Sequence, residues 1–312
     1  MTDYIEPRQD VVTDLFYRTH RLYVGYGDYK VKVWDLRDRI PVEELTGFWE
    51  VRSVFVDDDF LYVGSLRETI DVIELKNFTL FKQLKHDLGV LYLLSDEFYL
   101  FSCSHDGSVK VFDLEDFSEV TALEGHSERA NCCFSYRGLL YVGDGFMQGG
   151  KVTVWDLKDF KVVKLLEGID SKRIHNIYAA DNYIFVAHGG PPRLSIWDIK
   201  THVNIGEISS FTRDVIRIRG NLTHIFAAST REILKINRKT LEVEGRYEVV
   251  GYPLSALAVN DTHVFFGHGT KVEALVAETL EKDFEIIRGE KILDEEFVID
   301  SEDQPVPSRF NL

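Results

Sequence analysis

Apolar and polar positions alternate along this chain in short runs, and the runs repeat. The segment Lys30-Val-Lys-Val-Trp-Asp-Leu36 returns at Thr69–Leu75, Ser108–Leu114, Lys151–Leu157 and Arg193–Ile199, with degenerate copies at Ile233–Asn237 and Val272–Leu275. The large side chains at the equivalent position are Trp34, Ile73, Phe112, Trp155, Trp197, Ile236 and Leu275, spaced 39, 39, 43, 42, 39 and 39 residues apart. Each copy follows a second apolar run: Leu22–Gly25, Leu61–Gly64, Tyr99–Ser102, Leu140–Gly143, Ile184–Ala187, Ile225–Ala228 and Val264–Gly267. Asp, Asn and Gly cluster just before most of these, as at Asp57–Asp59, Asp181-Asn182 and Asn260-Asp261, where short polar side chains favour tight turns. A third run lies upstream, such as Val51–Val56 or Ile174–Ala179, and a fourth downstream, such as Val162–Leu166. The alternation predicts strands, and each unit reads as a four-stranded antiparallel meander.

Such a unit is apolar on both faces, so one copy alone leaves apolar surface in water. Stacking copies face to face covers it, and closing the stack into a ring leaves no bare end. The sequence therefore predicts an all-β, seven-bladed β-propeller.

Three units carry the dipeptides Trp34-Asp35, Trp155-Asp156 and Trp197-Asp198, Gly125-His126 opens another, and Phe101–Asp113 reads Phe-Ser-Cys-Ser-His-Asp-Gly-Ser-Val-Lys-Val-Phe-Asp. In these residues the chain resembles the WD-repeat (WD40) family over residues 11–288. The resemblance implies a propeller whose top face docks peptides or domains. It also implies a buried His, Ser, Asp and Trp network in each repeat, which this chain offers only in part. His86, Ser102 or Ser104, and Asp106 stand with Phe112 in place of Trp, and the fourth unit offers His126 and Trp155.

The ends fall outside the repeats. Residues 1–10 form an N-terminal segment, and residues 289–312 an acidic tail containing Phe297–Ile299. The seventh unit supplies its own fourth strand near Phe284–Ile287, so closure is expected through the C-terminal unit. Tyr4–Glu6 is the N-terminal alternative, limited to an edge by Pro7.

Composition narrows the function. Net charge is −16, which disfavours nonspecific nucleic-acid and anionic-membrane binding. No apolar run approaches the ~20 residues of a membrane helix, and no leader pattern opens the chain. Cys103, Cys132 and Cys133 lie in apolar strand-like stretches, an odd number with two adjacent. They read as buried thiols of a reducing, cytoplasmic setting.

Searching for chemistry finds no nucleotide loop, nucleophile elbow or zinc motif. Gly143–Gly150 is glycine-rich without a following Lys-Ser/Thr, so it reads as a hairpin loop. His263 and His268 are five apart on one strand, hence on opposite faces, and read as structural. Arg217-Ile-Arg219 departs from a paired-arginine lipid motif by Ile218, and both arginines should share one face of their strand. The expectation is a non-enzyme, without cofactor or metal, acting alone or as a subunit of a larger complex. A small-molecule or catalytic role for the central channel is the alternative.

The loops entering each unit's first strand, and the hairpins before each Trp-Asp strand, converge on one rim. The rim residues are Phe48, Trp49 and Glu50; Arg129; Phe146 and Met147; Lys172 and Arg173; Phe211 and Arg213; and Tyr252. Aromatic, Met and Arg side chains are the types enriched at interfaces. Trp49 is expected as an apolar anchor. Arg129, Lys172, Arg173 and Arg213 form a cationic cluster suited to a protein partner with an acidic segment.

Overall fold

Six antiparallel sheets of four consecutive strands and one of five follow one another along the chain, and among the described residues no strand crosses from one sheet to another. The computed structural model describes residues 11–126, 128–147, 149–190 and 192–287, together with the backbone of residues 291–294. Among them every regular element is a strand. The sheets are the blades of a seven-bladed β-propeller. Their first strands, Val12–Arg18, Val51–Val56, Val90–Ser95, Ala130–Tyr136, Ile174–Ala180, Val215–Gly220 and Leu254–Val259, contact one another in turn around the axis.

The apolar pattern is used as the repeat demands. Trp34, Ile73, Phe112, Trp155, Trp197, Ile236 and Leu275 are all buried, and they sit in clusters shared by neighbouring blades. Each lies opposite an apolar residue of the second strand: Leu22, Leu61, Leu100, Leu140, Ile184, Ile225 and Val264. In the third blade this register corrects the sequence alignment by one residue. Leu100–Cys103, not Tyr99–Ser102, matches Leu22–Gly25, because burial of Leu100 against Phe112 fixes which face turns inward.

Two local devices hold blade to blade. The first is the glycine that ends the second run. A Cβ on Gly25, Gly64, Gly143 or Gly267 would lie 2.8, 2.8, 2.5 or 2.3 Å from the opening Val51, Val90, Ile174 or Val12 of the next blade. The second is a bulky residue held at positive φ, 54–62°, four positions beyond each Trp-Asp site: Arg39, Phe78, Phe117, Phe160, His202, Leu241 and Leu280. Left-handed backbone costs about 1–2 kcal/mol in a residue with a Cβ. The offset is contact with the preceding blade: Phe117 against Phe60 at 5.3 Å, Phe160 against Tyr99 at 5.5 Å, and His202 against Tyr141 at 6.1 Å.

Closure uses the same contacts. Blade 7 owns its fourth strand, Lys282–Ile287, and adds a fifth, Lys291–Asp294, inside the segment read as a tail. Tyr4–Glu6 and Phe297–Ile299 lie outside the described residues. Blade 7 meets blade 1 through the Val12 amide donating to the Gly269 carbonyl at 2.8 Å, the Ser255 hydroxyl donating to the Val12 carbonyl at 2.5 Å, and Tyr17 stacked on Phe265 at 5.7 Å. The Arg39 guanidinium sits 5.3 Å from the centre of the Phe284 ring.

The offered polar network forms only in part. His86 bonds Asp106 at 2.9 Å and the Ser102 carbonyl at 3.3 Å. The indole nitrogens of Trp34, Trp155 and Trp197 meet no partner among the described residues. Apolar packing therefore does more than polar bonding to hold the blades together.

Two outcomes are expected of stability measurements. Trp155→Ala should lower stability by about 3–5 kcal/mol, while Trp49→Ala, at a position 57% exposed, should change it by about half a kcal/mol. Equal shifts in the denaturant midpoint would contradict that placement. Phe117→Gly should destabilise less than Phe117→Ala, by about 1 kcal/mol, because glycine relieves the positive φ. Equal losses would show that the turn is unstrained.

Candidate functional site

The residues that differ most from blade to blade are those facing the axis. In the first strands the fourth residue is always buried and packs into the blades: Leu15, Val54, Leu93, Cys133, Ile177, Ile218 and Leu257. The third and fifth residues point the other way. The third are Asp14, Ser53, Tyr92, Cys132, Asn176, Arg217 and Ala256, and the fifth are Phe16, Phe55, Leu94, Phe134, Tyr178, Arg219 and Ala258. Phe16 and Phe55 meet at 4.7 Å, and Phe134 and Tyr178 at 5.0 Å, each pair packing ring on ring between neighbouring blades. Nearer the rim, polar side chains bond across blades. The Val54 amide donates to Asp14 at 2.9 Å, the Leu93 amide to Ser53 at 3.1 Å, and the Ile218 amide to Asn176 at 2.9 Å.

Hairpins and entering loops are tied by backbone bonds, Leu66 to Glu50 at 3.1 Å, Gly150 to Ser171 at 2.7 Å and Gly189 to Arg173 at 3.2 Å. Trp49, Met147 and Tyr252 are 57%, 70% and 70% exposed, and Val250, missed by the sequence reading, is 83% exposed. Phe48 is half-buried against the blade 1–2 core. Glu50 pairs with Arg52 at 2.8 Å. The Arg129 guanidinium lies 4.0 Å from the ring centre of Phe146, and the Glu128 carboxylate accepts from the Phe146 and Met147 amides. Lys172 and Arg213 are exposed. Arg213 borders a cavity of about 330 Å³ with His175, Thr212, Asp214 and Ile216.

Two rim expectations need correction. Phe211 is buried in the core between blades 5 and 6, because the loop folds its ring inward to cover Val215 and Ile218. Arg173 does not join Lys172 outside. It turns toward the axis, where Arg217, Arg129 and Arg52 act on it. Arg52 and His175 also belong to this site, although neither stands out in the loops from sequence alone. Their signal is visible once the first strands are aligned, because charge or imidazole stands where the other blades have Thr13, Leu91, Asn131, Ile216 and Ser255.

Electrostatics define this cluster. Burial, then Arg217, with Arg129 and Arg52 adding, holds the Arg173 guanidinium below its ordinary range, against an opposing pull from Cys132. Arg217 is lowered by burial, against the pull of Asp14. Arg219 goes the other way. Burial lowers it, but Tyr92 and Asp14 outweigh that, and Tyr92 reaches it from blade 3 across the channel. His105 is pushed down to about 4 by burial, then by Arg129, Arg52 and Arg173. His175 is pushed to about 3 by burial, then by Arg173, Arg217 and His188. Both are neutral at neutral pH.

Other candidate chemistry is held in pairs. His263 bonds Asp283 and His268 bonds Glu273, each at 2.9 Å. Among the described residues no group of three His, Cys, Asp or Glu is arranged to hold a metal ion. Cys103, Cys132 and Cys133 are buried free thiols.

A family model described as "Domain of unknown function (DUF5074)" matches residues 71–264, from the third strand of blade 2 to the second strand of blade 7. Among curated proteins the chain is similar to "Transcription factor unc-37" of Caenorhabditis elegans, 30% identical over 129 residues. That match covers 36% of this chain and 21% of the relative's length. Among solved structures it is similar to the computationally designed Ika8 protein, with a TM-score of 0.68 and 17% identity, covering 87% of this chain and 98% of that one. The last likeness is one of fold alone.

The imidazoles give a pH prediction. His105 and His175 titrate near 4 and 3 when folded, against about 6.5 when unfolded. Between those values the unfolded chain binds protons that the folded chain refuses. Stability from these groups is therefore full above about pH 6.5 and is lost as pH falls toward 4. The thermal midpoint should decline between pH 6.5 and 5, before ordinary carboxylates titrate, and a His105→Gln/His175→Gln variant should decline less. An identical slope in the variant would exclude these two histidines.

Proposed function

The chain belongs to the DUF5074 family, and from that premise we propose that it is a non-enzymatic platform whose rim, around the mouth of the central channel, docks a protein partner. The observation that carries this reading is the exposure of Trp49, Phe146, Met147, Val250 and Tyr252 in loops that strand direction sends to the same end of the propeller, on a chain whose net charge is −16. Large exposed apolar side chains grouped beside arginine are the composition of an interface core. Lys172, Arg213 and Arg129 add local positive charge, which favours a partner segment rich in Asp or Glu. Charges at such an edge set orientation and association rate, while the buried aromatic anchor sets the lifetime.

The three recurring Trp-Asp dipeptides support reading the blades as degenerate WD repeats, and the stretch shared with a protein named as a transcription factor is in keeping with a role in assembly. Buried, unpaired Cys103, Cys132 and Cys133 support a reducing compartment such as the cytoplasm.

A photo-crosslinking residue at position 49 tests the docking face, with one at Leu222, exposed on the opposite face, as reference. A partner protein should be trapped from 49 and not from 222. With that partner in hand, Trp49→Ala should weaken binding by about 2 kcal/mol, or roughly 30-fold, through faster dissociation. Trapping from 222 alone, or unchanged affinity in a folded Trp49→Ala protein, would overturn the assignment.

A further inference from the structure

Five guanidiniums converge on the axis from four blades: Arg52 from blade 2, Arg129 from the loop entering blade 4, Arg173 from the loop entering blade 5, and Arg217 and Arg219 from blade 6. Carboxylates stand near some of them: Glu50 is 2.8 Å from Arg52, Asp14 acts on Arg217 and Arg219, and the Glu128 carboxylate is held by the Phe146 and Met147 amides beside Arg129. Among the described residues, Arg129, Arg173 and Arg217 form no ion pair within 4.0 Å. The Nε atoms of Arg52, Arg173 and Arg217 and the Asn176 amide nitrogen are buried without a partner.

This arrangement works against folding. Gathering like charges at a partly buried site costs free energy that nearby carboxylates would offset, and the chain has 52 acidic residues from which to supply them. Arg219 shows the contrast. It donates to Asn176 at 3.2 Å and to the Ile218 carbonyl at 2.9 Å, and Tyr92 and Asp14 face it. Nearer the mouth, Arg217 donates to the Ile216 carbonyl at 3.1 Å and Arg52 pairs with Glu50, but the Arg173 guanidinium has no hydrogen-bond or ion-pair partner among the described residues. A destabilised cluster of this kind is characteristic of a binding site whose missing charge arrives with the ligand.

We propose that the channel mouth is an oxyanion site for a phosphoryl group or a short phosphate chain, gripped by Arg173 and Arg217, with Arg52 and Arg129 at the entrance and Asn176 donating from below. The planar fork of arginine matches two phosphate oxygens at once. A phosphoryl group brings about two negative charges, where a carboxylate brings one and leaves most of the repulsion in place. This site shares its face with the docking surface but does not depend on it.

Inorganic tripolyphosphate is the probe, titrated by calorimetry into the full chain in a low-salt, phosphate-free buffer, with thermal melts in parallel. It should bind and raise the unfolding midpoint. Arg173→Gln and Arg217→Gln should each weaken binding at least tenfold while raising the midpoint of the ligand-free protein, because each removes a like charge. Lys158→Gln, exposed on the opposite face, should alter neither reading. If an axial variant fails to fold, Arg129→Gln at the solvent edge gives the same affinity test. A phosphoserine peptide and its unphosphorylated twin identify the source. Binding of tripolyphosphate alone points to a free phosphate compound, and preference for the phosphopeptide points to a modified partner. No binding of either, or axial variants that lose stability while keeping affinity, overturns the proposal. Loss of crosslinking at position 49 with tripolyphosphate binding intact would sink the docking reading alone.

Discussion

Each blade of this protein is apolar on both faces, so no blade is a stable object without two neighbours. Everything else in the fold answers that requirement. A glycine ends the second run of four blades because the opening residue of the next blade occupies the space a Cβ would take. A bulky residue sits in an unfavourable left-handed turn because from there it reaches the previous blade. The Trp-Asp position accepts Ile, Phe or Leu because its task is to fill volume between sheets, and the indole nitrogens that remain go unbonded. Volume-conserving exchange at such a site is tolerated far better than truncation.

The same requirement explains closure. The last blade contributes its own four strands and presses against the first through the contacts used elsewhere around the ring. No exchanged strand fastens it among the described residues. The seam adds to ordinary inter-blade packing the approach of the fifth strand, Lys291–Asp294, to the fourth strand of blade 1, Ile40–Thr46, and Val12 against Gly267 is the tightest approach among the glycine contacts of its kind.

The fourth residue of each inner strand is always buried and apolar or a thiol, whereas the third and fifth vary widely in chemistry. The channel carries an acid, hydroxyls, an amide, a thiol, rings and arginines within one ring of equivalent positions. A protein that is strongly anionic outside keeps its most concentrated positive charge inside, where burial lowers Arg173 and Arg217 and keeps His105 and His175 uncharged. The packing scaffold is generic, and the axis is individual. Function is therefore sought at the mouth of the channel and on the rim around it.

The sequence by itself determined the number of blades, the four-strand unit and the inward side chains, because a seven-fold spacing of apolar alternation admits one economical way to cover both faces. It also determined which loops share the rim, since alternating strand direction sends every entering loop to the same end. Trp49, Met147 and Tyr252 were legible there as exposed loop residues. Three things were decided only by the tertiary structure. Phe211 turned inward because a loop's side-chain direction depends on which neighbouring surface is open. The third blade's second strand shifted by one residue because burial against Phe112, not local pattern, sets register. Arg52, Arg129, Arg173, Arg217 and Arg219 became one cluster because residues up to 167 positions apart meet only when the ring closes and its inner strands face a common axis.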